Sequence, residues 1–466
     1  MPTPSLRVMI ECDSHDYLIK LALMRLGEDT GDNSSTFEEY LRRSNFDKFD
    51  WVSIDRFFAI PLESHPRESK RFLVRGLIDV KGADTIPEFI DNAGAGGPAR
   101  VFSDPAIGAY RMKGLNRPVG DTDRVRAQLR TNILNDNGLD GTGVAIAIVD
   151  SGIYLPRLTR ALGFEPALDK ANSWKPDRVA TQPGMHRLGH GTMCAYDALI
   201  AAPKATLIDV PMLIDRPRAD HLVSATLSAA VDAYEHLIGR WVSEKRPNYK
   251  ALVVSNSWGI FNPGLDDFPR GHEGRFIDNP NHPFRSRIRT LCAADANVDI
   301  VFCGSNCGPE CTSPACLSQT DRMIMGANAY PEVLTVGGCD TENDVIGYSS
   351  RGPAISMFAP AEVQAKPQLE QKPDISAYTH FLGSKTRRNY LPDSGVSAAC
   401  PVAAGCIAAL RTKLSPAEKS PEALFTVIKE TARGGNDAGP GGVWNDKFGH
   451  GIIDPVGAAR RLGLIQ

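Results

Sequence analysis

The sequence predicts an α/β fold: a doubly wound, mostly parallel sheet with helices on both faces, with a smaller α+β domain ahead of it. Three observations carry this prediction. From about residue 140, five runs are almost continuously hydrophobic: VAIAIVD (144–150), ATLIDVPML (205–213), ALVVSNSW (251–258), VDIVFCGSN (298–306) and VLTVGGCD (333–340). Strands buried on both faces of a parallel sheet have this pattern. Helical periodicity separates the runs. HLVSATLSAAVDAYEHLIGRWVSEK (221–245) repeats apolar residues at three- and four-residue steps, and PFRSRIRTLCAADA (283–296) does so more weakly. The alternation of strand, helix and strand implies crossover connections. In such sheets, sites gather beyond the carboxyl ends of the strands.

Residues 1 to about 115 read differently. LRVMIEC and FDWVSI have strand patterning, with YLIKLALMRLG as a helix between them and a polar stretch (GEDTGDNSSTFEEYLRRS) after it. FLVRGLIDV (72–80), a helical TIPEFIDNA (85–93) and ARVFSDPAI (99–107) follow. The Gly/Pro-rich connection GLNRPVGD (114–121) marks a boundary. The expected division is therefore an N-terminal domain over 1–118 and a second domain over 119–466.

Composition narrows the function classes. The 466 residues are 42% hydrophobic and 23% charged, so an ordinary globular core can form without staples. A net charge of −3 with no long basic run argues against nucleic acid as a partner. No stretch approaches 18 uninterrupted apolar residues, so no membrane span is expected. The first residues lack a charged-then-apolar leader, and the expected location is cytoplasmic. Most of the ten cysteines sit singly in apolar segments, as buried free thiols do in a reducing compartment. Cys303, Cys307, Cys311 and Cys316 cluster, with three, three and four residues between them. The spacing lacks the C-x₂-C step usual for zinc. Loop thiols are expected there, and no metal is assigned.

Three segments each put a reactive side chain beside a strand end and a small-residue turn. Asp150 closes the strand of AIVDSGI, His190 opens a helix in RLGHGTMCAYDALIAA, and Ser397 opens another in SGVSAACPVAAG. Singly, each has a plain structural reading: a cap, a solvated loop histidine, an N-cap serine. Together they supply a nucleophile, a general base and a carboxylate that orients the base. Asn306 lies just past a further strand in VDIVFCGSNCG, where its amide can donate to an oxyanion.

These motifs resemble those of the subtilisin-like serine peptidases (subtilases). VAIAIVDSGI is similar to the family's Asp motif, GHGT followed by APKATLIDV to its His motif, CGSNCG to its oxyanion motif and GVSAACP to its Ser motif. NSWG (256–259), YPEVLTVGGCD, YSSRGP, KPDISA and KFGHGIIDPVGAA (447–459) extend the likeness over roughly residues 122–460. Val396 and Ala398 stand where the family usually has Thr and Met, Cys303 and Ser305 where it has Ala and Gly, and KPDISAYTHF lacks the usual A-P-G ending. The neighbours of Ser397 and Asn306 are expected to be packing changes.

The resemblance implies a subtilisin-like fold and a serine endopeptidase acting on protein or peptide substrates. It assigns Asp150, His190 and Ser397 as the triad and Asn306 as the oxyanion donor. It assigns Ser257, Trp258 and Gly259 to the strand that pairs with substrate. The competing reading is a catalytically silent peptide-binding module on the same fold. No cofactor is required. Calcium is common in the family, and a site for it is not readable from the loops of this sequence. IFNPGLDDFPRGHEGRFIDNPNH (260–282) reads as an insertion at the cleft edge. Residues 1–118 are expected to act as a prosegment-like or regulatory region, with self-cleavage within 107–122, or to receive a regulatory protein partner.

Overall fold

The protein is represented by a computed structural model. It describes residues 5–12, 50–62, 71–79, 99–110 and 117–466, except 178, 216–220, 243–246, 261, 269–271, 273, 278, 280, 294–295, 312, 314–315, 317–322, 356–368, 387–389 and 437. The expected helices at 17–27 and 85–93 lie outside the described residues. The chain forms two compact units. One comprises Met1–Ala106, Thr226–Gly239 and Pro263–Arg287; the other comprises Ile107–Ala225, Arg240–Asn262 and Ile288–Gln466.

The first unit contains strands β1 (Ser5–Cys12), β2 (Asp50–Leu62), β3 (Arg71–Asp79) and β4 (Ala99–Ser103) in the order β2-β3-β1-β4, every pair antiparallel. Two later stretches of sequence belong to it. The buried carboxylate of Asp104 accepts the Ser228 N–H (2.7 Å) and Oγ–H (2.8 Å), capping the helix Leu227–Trp241. From Pro263 on, the insertion at 260–282 belongs to the same unit. Gly274 C=O accepts the Ser103 N–H (2.8 Å), and Phe276 N–H donates to Ser103 Oγ (2.9 Å). His282 is buried with its ring edge-on to Phe102 and Phe276 (5.5 and 5.3 Å). Burial pushes its pKa down to about 3, which keeps it neutral. Much of the expected cleft-edge loop is therefore structural material for this unit.

The second unit carries β5 (Ala106–Tyr110), β6 (Val144–Asp150), β7 (Thr206–Pro211), β8 (His221–Thr226), β9 (Ala251–Asn256), β10 (Asp299–Cys303), β11 (Leu334–Cys339), β12 (Ala354–Ile355), β13 (Leu369–Glu370) and β14 (Ile375–Tyr378). Six strands form one sheet in the order β14-β11-β10-β9-β6-β7, parallel throughout. β5 pairs with β8 and β12 with β13. Residues 221–226 were expected as helix and are strand instead. Pairing with β5 overrides a helical pattern that starts in earnest only at Leu227.

Two features of the sheet matter for the site. β6 lies between β7 and β9, so the strand order reverses there and a crevice opens at the carboxyl ends. The helix Val396–Arg411 is buried along its whole length. Small and apolar residues let most of it run through the core, and Arg411 at its end is buried against Asp299. At Gly405 a Cβ would stand 2.1 Å from the Ala198 carbonyl, so the helix touches Gly189–Ala198 backbone to backbone. No helix among the described residues is long and apolar enough to cross a membrane.

Candidate active site

Asp150 ends β6 at the crevice and is fully buried. Its Oδ1 accepts its neighbour's Ser151 N–H (2.6 Å), and both oxygens receive His190 Nδ1 (2.8 and 2.9 Å). In the neutral imidazole, Nδ1–H bound to the carboxylate leaves Nε2 as the unprotonated nitrogen. The glycines of the two motifs make this contact feasible. A Cβ on Gly191 would meet the Gly152 carbonyl at 2.5 Å, and one on Gly152 would meet the His186 ring at the same distance. Two further bonds tie the segments together: Gly191 N–H to Ser151 Oγ (2.9 Å) and Tyr154 N–H to Thr192 Oγ1 (2.9 Å).

Ser397 is the second residue of its helix, and its N–H has no acceptor within that helix. Val396 N–H, one residue earlier, donates to Asn306 Oδ1 (2.8 Å). That bond fixes the amide's orientation, so Nδ2 is the end free to donate. Pro401 sits in the second turn of this helix, where it deprives the Ser397 carbonyl of its helical donor. Ser257 Oγ–H (2.9 Å) and the Cys194 thiol (3.5 Å) fill that place. The Ser397 hydroxyl donates back to the Ser257 carbonyl (3.4 Å). Cys194 Sγ also lies 3.8 Å from Asp150 Oδ2 and 4.0 Å from His190 Nδ1, so one thiol touches all three candidate residues.

The residues flanking Asn306 are more than packing changes. Ser305 has φ 84°, a left-handed conformation that the family's usual glycine adopts without strain. Its hydroxyl is buried without a partner among the described residues. In a Ser397→Ala background, Ser305→Gly is expected to raise the unfolding free energy by about 1 kcal/mol, read as a higher urea midpoint.

Trp258 packs into the core. Its ring is fully buried, edge-on to Phe302 at 5.2 Å. The backbone of Gly259 is already paired: its N–H and C=O bond to Gly108 C=O and N–H, both at 3.1 Å, in an antiparallel bridge. Sequence reasoning missed Asn328, whose Nδ2 donates to the carbonyls of Trp258 (2.9 Å) and Cys303 (2.7 Å). It thereby joins the Ser257–Gly259 segment to the strand that leads to Asn306. The signal was an asparagine in GANAYP just before an apolar run.

Among the described residues, two groups could hold a metal ion: Asp150 with His190 and Cys194, and Cys307 with Cys311 and Cys316. In the first, Nδ1 is committed to the carboxylate. In the second, Cys307 and Cys316 form a disulfide. That corrects the expectation of free loop thiols, because the turn brings their Cα atoms to 5.4 Å.

Asp209 in β7 braces the loop after Asp150. Its oxygens accept the N–H groups of Ile153 (3.1 Å) and Gly184 (2.7 Å). Burial, aided by the Asp150 charge, pushes its pKa up to about 7 against those two donors. A raised folded-state pKa contributes stability that is complete below the unfolded value near 4 and is lost as pH rises through about 7. Urea midpoints should therefore fall more between those limits for Ser397→Ala protein than for the same protein carrying Asp209→Asn. The difference is expected to be at most about 4 kcal/mol.

Comparisons with known proteins identify the family. A family profile described as "Subtilase family" matches residues 141–451. The chain is 26% identical over 382 residues to the serine protease AprX of Bacillus subtilis (strain 168), covering 73% of this chain and 72% of that one. It is 26% identical over 334 residues to the human membrane-bound transcription factor site-1 protease, covering 70% of this chain but only 26% of that relative. Among solved structures it is similar to the serine protease MycP1 of the type VII (ESX-1) secretion system, with 18% identity, a TM-score of 0.45 and coverage of 76% and 92%.

Proposed function

The chain belongs to the subtilase family, and on that premise we propose that it is a serine endopeptidase whose triad is Asp150, His190 and Ser397. The observation that carries the reading is the Asp150–His190 contact at 2.8–2.9 Å, with one thiol bridging both residues to Ser397. A serine hydroxyl is a poor nucleophile until a base removes its proton. In the reaction, the Ser397 hydroxyl turns from the Ser257 carbonyl to His190 Nε2. The imidazole takes the proton as Oγ attacks the scissile carbonyl, then returns it to the leaving amine. Asp150 holds the tautomer and stabilises the imidazolium. Ser397 N–H and Asn306 Nδ2 receive the oxyanion.

Asn306 has two jobs that one variant separates. Asn306→Asp keeps an oxygen for the Val396 N–H and removes the amide donor. It is expected to leave the urea midpoint near wild type and to lower kcat by about 10²–10³, with KM little changed. A kcat within a few-fold of wild type would remove Asn306 from the oxyanion site.

The bridge between Gly108 and Gly259 supports control by the N-terminal region. Residues 257–259 are the strand assigned to substrate, and the chain's own segment occupies it in the antiparallel sense a substrate takes. Continuing the register puts Tyr110 opposite Ser257, which touches Ser397. The bond after Tyr110 is thus the expected self-cleavage point, inside the 107–122 window. Labelling with a fluorophosphonate probe, with Ser397→Ala as control, tests the reading. Wild-type protein that never labels, full-length or truncated, would favour the silent peptide-binding module.

A further inference from the structure

The sulfur cluster beyond Asn306 takes no part in the chemistry above. Cys307 directly follows Asn306 and is joined to Cys316, whose Sγ lies 3.8 Å from the Asn306 carbonyl. A third sulfur, Cys311 Sγ, stands 2.7 Å from Cys316 Sγ, closer than two unbonded sulfurs rest. All three lie within 4.8 Å of one another. A structural disulfide needs only two sulfurs, so the third is surplus to a staple. The thiols of Cys194, Cys303, Cys339, Cys400 and Cys406 are buried and pushed up by that burial, hence inert. Cys311 differs: it is only partly buried and accepts the Ser313 N–H (3.3 Å).

From this geometry we propose that Cys311 is the exchange thiol of a three-cysteine modification site, in which Cys316 pairs with either Cys307 or Cys311. The step balances within the chain. The Cys311 thiolate attacks Cys316 Sγ, a new sulfur–sulfur bond forms, and the old bond to Cys307 breaks. Cys307 leaves as a thiolate and takes up the proton that Cys311 lost, so no oxidant or reductant is consumed. Burial raises the Cys311 pKa while the Ser313 N–H draws it back, so exchange should quicken as pH rises. In one pairing, the residue after Asn306 is covalently tethered. In the other that tether is gone, and of the holds on Cys307 seen beside the disulfide, its N–H bond to Ser350 Oγ (3.0 Å) needs no sulfur. The pairing thereby sets how firmly the proposed oxyanion amide is held. This consequence rests on the peptidase reading, whereas the exchange itself does not.

Disulfide mapping by mass spectrometry tests the exchange in full-length Ser397→Ala protein, which cannot digest itself. Samples held at neutral pH and at about pH 9 are acid-quenched, alkylated and digested. Both the Cys307–Cys316 and Cys311–Cys316 peptides are expected, with the second forming faster at the higher pH. Cys307→Ser should form the Cys311–Cys316 bond, and Cys311→Ser only the Cys307–Cys316 bond. A single Cys307–Cys316 pairing at both pH values, with Cys311 always alkylated, would overturn the proposal even if Cys307→Ser fails to fold. In the otherwise wild-type protein, Cys307→Ser should label with fluorophosphonate several-fold more slowly than Cys311→Ser. If no variant labels, the peptidase reading fails while the disulfide map still decides the exchange.

Discussion

Ser397→Ala is expected to abolish fluorophosphonate labelling, lower kcat by about 10⁶, and leave the chain at full length where the wild type is shortened. That loss is the one subtilisin shows when its serine is removed, so its size comes from the family. The substitution deletes one hydroxyl. It leaves the Ser397 carbonyl with its Ser257 and Cys194 donors and Val396 bound to Asn306, so the fold should persist. Intact mass gives the second readout. The wild type should lose the segment ending at Tyr110, and the variant should not. Continued labelling of Ser397→Ala would remove this serine as the nucleophile. Identical full-length masses would remove self-cleavage but not proteolysis.

Asp299→Asn is expected to cost about 3–5 kcal/mol of stability, the penalty for leaving a buried charge without its partner. Arg411 closes the Ser397 helix and is fully buried, as is Asp299 at the start of β10. The pair is bidentate, Nε to Oδ2 and Nη2 to Oδ1, both at 2.7 Å. Arg411 Nη1 also donates to the Lys419 carbonyl (2.6 Å). Removing both charges together, as Asp299→Leu with Arg411→Met, should restore much of the loss, since the isolated charge carries the cost. Urea midpoints in the Ser397→Ala background measure both variants. A single variant within about 1 kcal/mol of the parent would show that the pair is solvated rather than sealed.

The parallel sheet was legible because every strand of it is buried on both faces. An uninterrupted apolar run such as VAIAIVD has no other economical place in a soluble fold. The candidate residues were legible because Asp150 closes a strand while His190 and Ser397 open helices, beside residues that tolerate close approach, such as Gly152 and Gly191. Where the reading failed, distant contacts overrode local pattern. Residues 221–226 became strand because β5 pairs with them. From Pro263 on, the segment at 260–282 joined the first unit through Ser103, more than 150 residues upstream.

By itself, then, the sequence determined the buried strands, their alternation with helices, and which side chains stand at the strand ends. Those properties depend on neighbours a few positions away. Only the tertiary structure decided that Ser257 makes good the donor Pro401 lacks, that Asn306 is oriented by Val396, that Gly108 takes up the Gly259 backbone, and that a third sulfur faces the Cys307–Cys316 bond. Each is a contact between residues far apart in the chain. Hydrogen bonds and sulfur contacts of that kind depend on how the strands order themselves, which no local pattern encodes.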